Sequence, residues 1–246
     1  MHPVFLGAAV VTAAAALAMD AARRDRGMER PGVAAFLIGL PLSPLVDQYV
    51  KSPLTALVQR LTWPGQAGPP PLTFFLLVLW IAPLVEEGTK LLPLAMPEIA
   101  ASLRRPAASI ELGMASGLGF GVGEAWYLAL VIASARSGAS LGRVEAALTS
   151  GLVAYLTERA VVCFAHSVMT SVAMTGVARG ALAGASGYLG AVALHALVNV
   201  SALLAWTGIG GPLAPDLALL VAIVALSVVF EKLESDQRDH LASGRK

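Results

Sequence analysis

Seven apolar runs divide this chain: Pro3–Met19, Val33–Val50, Leu72–Ala95, Leu112–Ala135, Ala147–Thr175, Ala183–Trp206 and Pro212–Phe230. A helix rises about 1.5 Å per residue, so runs near 20 residues span the hydrocarbon of a bilayer. Lipid offers no partner to a backbone N–H or C=O, so such runs cross as helices that satisfy themselves. The expected fold is all-α, a polytopic bundle of about seven transmembrane helices in one domain over residues 1–246. Composition agrees. The chain is 57% hydrophobic and 13% charged, with mean hydropathy +0.73, where a soluble domain would carry roughly a quarter charged residues. A net charge of +1 gives no basis for nucleic-acid binding, and the single cysteine, Cys163, excludes an intrachain disulfide. Cys163 reads as a small buried apolar residue.

The runs differ in character. The second contains Pro41 and Pro44 and is expected to kink or break there. The segment Lys51–Pro71 is rich in Pro and Gly and reads as an irregular or re-entrant piece on the outer surface. The fifth run is one tilted helix or a helix with an interfacial lead-in. The seventh is the plainest and reads as scaffold, and the polar tail 231–246 reads as a frayed helical extension. No Lys or Arg precedes the first run, while Arg23, Arg24, Arg26 and Arg30 follow it, which favours a retained anchor over a cleaved signal. Eleven basic residues (those four with Arg104, Arg105, Arg179, Lys232, Arg238, Arg245 and Lys246) fall on one side. Lys51, Arg60, Arg136 and Arg143 fall on the other. The richer side marks the cytoplasm, so a cell-membrane protein is expected with its N-terminus outside and its C-terminus inside.

Ionisable groups inside these runs are costly and mark function by default. The third run, LTFFLLVLWIAPLVEEGTKLLPLA, holds Glu86, Glu87 and Lys90. The fourth holds Phe120 and Glu124, the fifth Arg159, His166 and Thr170, and the sixth His195 and Asn199. Residues four apart share a helix face, so Glu86 with Lys90, His166 with Thr170, and His195 with Asn199 form polar stripes. Glu87 points about 100° from Glu86, so the two acids have different jobs. Counted from the expected cytoplasmic ends, Glu86 and His166 lie about 13 Å in, and Glu124 and His195 about 18 Å. Four helices thus bring acids and imidazoles to one layer, which predicts a single site between spans 3 to 6. Glycines at 113, 117, 119, 121 and 123 recur at spacings of four. They are expected to allow close helix approach, bringing Glu124 against the third span.

Two chemistries suit such a set. Three protein ligands can hold zinc and leave a position for water, or a glutamate can activate water directly while His and Asn stabilise the oxyanion. Both are hydrolytic. A proton-coupled transporter or channel would use similar groups, and a membrane hydrolase of lipid amides or esters would use the same ones.

The segments EEGTK, FGVGE, HSVMT and HALVN, in that order and with Arg159 seven residues before His166, resemble the PrsW family of intramembrane proteases, within the superfamily of CAAX prenyl endopeptidases and bacteriocin-processing proteins. The resemblance spans about Leu72–Asn199, within a motif-bearing core of 72–207. It implies an intramembrane endopeptidase that cuts membrane-associated protein substrates in the lipid bilayer. The resemblance places Glu86 and Glu87 on the family's paired glutamates, and for such a peptidase Glu86 is expected to be the general base and Glu87 its partner or a ligand. Glu124 and His166 hold water or a metal, with His195 a further metal ligand in a zinc enzyme. His195 and Asn199 polarise the scissile carbonyl. Lys90 and Arg159 balance charge, and Phe120, Thr170 and Gly176 support. Ala125 departs from the pattern, since relatives commonly carry Asn after the Glu.

Overall fold

A computed structural model describes residues 3–26, 30–65, 70–135 and 152–242. Every regular element among them is helical: α1 (Pro3–Arg26), α2 (Arg30–Val46), a π-turn (Asp47–Lys51), α3 (Ser52–Thr62), α4 (Leu72–Thr89), a 3₁₀ turn (Leu92–Ala95), α5 (Pro97–Ser102), α6 (Pro106–Ala135), α7 (Leu152–Ala178), α8 (Ala181–Thr207) and α9 (Ala214–Ala242). Among the described residues seven helical segments are long and apolar enough to cross a membrane, as expected. Residues 147–151, which the fifth run included, lie outside the described residues.

The second crossing departs from expectation. Pro41 and Pro44 remove two donors from the helical ladder, yet α2 does not break. It widens after Val46 into the π-turn and then continues as α3. One long helical path therefore runs from Arg30 to Thr62, and the first twelve residues of the expected outer loop are helical. Such π-turns recur at functional positions, and this one points Asp47 inward, 3% exposed.

The centre of the bundle is α6, packed against α7 and α2. Its glycines make both contacts. A Cβ at Gly113 would stand 2.3 Å from the Ser171 Cα, and one at Gly117 would stand 2.3 Å from the His166 carbonyl oxygen. On the other stripe, a Cβ at Gly119 would meet the Phe36 carbonyl at 2.2 Å, and one at Gly123 would meet that of Leu40 at 2.1 Å. The glycines therefore seat α7 and α2 on α6, and not the third span as the spacing suggested. Ser171 Oγ reinforces the pair by donating to the Ile110 carbonyl at 3.1 Å. Cys163 is 6% exposed, and a Cβ at Gly121 would lie 3.0 Å from its Sγ. The α9 helix packs on the outside, with Leu217, Leu220, Val221, Val224 and Val228 exposed as a face suited to lipid.

Gly117 joins packing to chemistry, because the backbone it touches belongs to His166. Replacing it with Ala should destabilise the protein by about 1–3 kcal/mol, the usual result of overpacking. Unfolding of the detergent-solubilised variant measures this, and unchanged stability would show that the α6–α7 contact is looser than described.

Candidate active site

The end of α4 organises the cluster. The helix finishes at Thr89 and Lys90 caps it, so the run 72–95 is not one helix. Glu86 and Glu87, 2% and 0% exposed, leave α4 in different directions. Lys90 is fully buried. Its Nζ lies 2.5 Å from Glu87 Oε1 and 2.7 Å from His166 Nδ1, and it sits 4.9 Å from the Phe120 ring centroid. Its partner is thus Glu87, three residues back, and not Glu86, four back, as the helical stripe suggested. Both spacings lie within reach on a helix. The choice is set from outside α4, because Lys51 Nζ from the π-turn takes Glu86 Oε1 at 2.9 Å. Lys51 also ion-pairs with Asp47. The sequence reading missed both residues and counted Lys51 with the outer loop. The available signal was an oppositely charged pair four apart at the end of an apolar run.

The two histidines have different partners. His195 Nδ1 lies 2.7 Å from Glu87 Oε1, and its Nε2 faces Glu86 Oε2 at 3.9 Å. A carboxylate at Nδ1 fixes the tautomer, so that Nε2 presents its lone pair. His166 uses both ring nitrogens. An ammonium can only donate, so Nδ1 accepts from Lys90 and Nε2–H donates to Glu124 Oε2 at 3.1 Å. The two imidazoles meet edge to face with centroids 5.4 Å apart, and the Phe120 ring contacts His166 in the same way at 5.3 Å.

Glu124 Oε2 also lies 3.3 Å from Arg159 Nη1, and Arg159 pairs with its neighbour Glu158. Thr170 donates to the His166 carbonyl at 2.7 Å, a bond within its own helix. Gly176 lies against α8, where a Cβ would meet the Ala183 carbonyl at 2.5 Å. Ala125 is fully buried, and its carbonyl accepts from Tyr155 Oη at 2.6 Å. Two more bonds hold the frame. Ser116 Oγ donates to the Lys90 carbonyl at 2.9 Å, and Tyr188 Oη donates to the Leu84 carbonyl at 2.7 Å.

Ligand atoms of Glu86, His166 and His195 all lie within 4.8 Å of one another. This buried trio could hold a metal ion. It differs from the grouping of Glu124 with the two histidines, because Glu124 stands behind His166 as its hydrogen-bond partner. Two cavities flank the cluster. One, about 310 Å³, is lined by Glu124, Arg159, His166, His195 and Asn199. The other, about 230 Å³, is mostly apolar and begins at Lys51 and Asn199.

The description "PrsW family intramembrane metalloprotease" fits residues 1–230 of the chain. The chain belongs to this family. No curated protein and no solved structure matches it significantly. As a PrsW-family member it is an intramembrane protease, and the match reaches well beyond the segment Leu72–Asn199 that carries the motifs. It takes in α1, the π-turn and most of α9.

Proposed function

We propose that this protein hydrolyses peptide bonds of membrane-associated proteins at the cluster between α4, α6, α7 and α8, with a divalent metal, zinc by preference, held by Glu86, His166 and His195. The observation that carries this is the buried Glu86 Oε2. It has no hydrogen-bond partner among the described residues and faces the free nitrogen of His195. Charge supports it as well. Asp47, Glu86, Glu87 and Glu124 set four carboxylates against the three cations Lys51, Lys90 and Arg159, leaving one negative charge before Glu158 is counted. An uncompensated charge in a membrane interior is costly, and with Glu158 beside Arg159 the excess is two negative charges, which a bound divalent cation would offset. Imidazoles with a carboxylate form a competent set for zinc. Both ring nitrogens of His166 are engaged, so its entry into a metal shell would displace Lys90 or the proton shared with Glu124. When bound, the ion supplies Lewis acidity and an activated water.

The chain's own groups then divide the work. Lys51 fixes one oxygen of Glu86, and Glu87 orients His195. Glu124 replaces Glu86 as the best candidate for general base. Its side chain is 22% exposed, against 3% for Glu86, and it borders the larger cavity. It would take the proton of the attacking water and return it to the departing amine nitrogen. Asn199, half-buried and bordering both cavities, would donate to the carbonyl oxygen as it gains charge. The surplus of basic residues keeps the C-terminus in the cytoplasm and the N-terminus outside a cell membrane. Moving Lys51 from the outer count into the membrane sharpens that bias.

Metal content and cleavage together test the division. Purified full-length protein equilibrated with zinc should hold about one ion per chain. His195→Ala should lose it, whereas Glu124→Gln should keep it and still fail to cleave. A fully active preparation without stoichiometric metal would leave only the alternative, in which a glutamate acts on water unaided.

A further inference from the structure

We propose that the apolar crevice between α3, α4 and α8 is the subsite that seats an apolar side chain of the substrate, beside the bond to be cut. The inference rests on the peptidase reading and adds where the substrate is read. Its first support is helical phase. On α4, Leu79, Ala82 and Glu86 follow at spacings of three and four, so the crevice wall and the site carboxylate share one face. On α8, His195, Asn199, Ala202 and Trp206 do the same, and on the second crossing Lys51 and Thr55 do so. Three helices thus extend the faces of the active cluster directly into this 230 Å³ space.

Its ends differ. The far end is bordered by aromatic rings, with Trp206 edge-on to Phe75 at 4.9 Å and to Phe74 at 6.1 Å between centroids. The near end is Lys51, 2.9 Å from Glu86, together with the Asn199 amide. Asn199 and Ala202 also border the larger cavity, so an extended chain passing Asn199 could place successive side chains on either side of that wall. A peptide fits this polarity better than a lipid does. Lys51 is already paired with Asp47 and Glu86, so it offers little to a phosphate head group. A hydrocarbon tail would leave the amide at the near end unsatisfied, while a peptide brings backbone carbonyls and N–H groups that match it.

The test uses full-length protein in nanodiscs and a library of membrane-tethered peptides randomised over their central positions. In the Glu86→Gln background, a photoreactive benzoylphenylalanine at Leu79 or Leu203 should cross-link to peptide. The same group at Leu233, in a separate cavity beside Arg104 and Arg179, should not. In the active chain, Ala82→Phe narrows the crevice and should shift preference at one substrate position toward Gly and Ala. Leu203→Ala enlarges it and should shift the same position toward bulkier residues. Each shift should be about tenfold or more in relative kcat/KM, the scale on which apolar pockets discriminate. Leu203→Ala suffices if Ala82→Phe does not fold. Unchanged preferences in cleaving variants, or adducts to lipid alone, overturn the subsite and leave the peptidase standing. Peptide adducts at Leu79 and Leu203 without any cleavage by the active chain keep the crevice as a peptide site and reject the peptidase reading.

Discussion

Changing Glu86 to Gln is expected to leave the protein inserted and folded and to lower peptide-bond cleavage by roughly 10²- to 10⁴-fold, the range for removing one catalytic proton-transfer or charge-stabilising group. The amide keeps the shape of the side chain and removes its charge. Lys51 keeps Asp47 as a partner, so the π-turn has no reason to unfold. Both chemical readings need this carboxylate, as a ligand or as the base, and they part on metal content. Loss of zinc together with activity supports the ligand role, whereas loss of activity with zinc retained supports the base. A variant that cleaves at the parent rate rejects both. Cleavage of a membrane-tethered reporter, with metal analysis of the same preparation, supplies the two readouts.

The second large effect concerns stability. Lys90→Met should destabilise the protein by about 3–5 kcal/mol, because it strips the cation from a fully buried carboxylate. Lys90 and Glu87 side chains are both 0% exposed, and the lost ammonium also donates to His166 and lies over Phe120. Methionine fills much of the volume, so packing is largely spared. Adding Glu87→Gln to Lys90→Met should restore much of the loss, since the stranded charge is then gone. Chemical or thermal unfolding in detergent measures both. A single variant within about 0.5 kcal/mol of the parent, as for an ordinary surface change, would show that the pair is not buried as described.

The number of helices long enough to cross and the identity of the polar groups that cluster between them were legible in the sequence, because hydrophobic length and the cost of charge in lipid are local properties. The partners of those groups were not. Helical spacing says which residues share a face of one helix, but not which neighbour that face meets. So the spacing pairs Lys90 with Glu86, whereas Lys51, from another crossing, holds that carboxylate. The glycines of α6 show the same limit, since spacings of four announced close approach but not that one stripe serves α7 and the other α2. Lys51 itself was hidden by its setting. With Pro44 before it, Pro53 after it and the Pro- and Gly-rich stretch beyond, it looked like the start of a loop. Only the π-turn, which carries one more residue per turn than the pattern assumes, brings it to the cluster.

The trio of Glu86, His166 and His195 is gathered from α4, α7 and α8, which are the third, fifth and sixth crossings. No shorter stretch of the chain owns it. During insertion from a ribosome, no earlier stage holds all three groups of the proposed site. The site proposed above would be complete only when the helix bearing His195 docks, so a chain still being threaded is expected to be silent toward its neighbours.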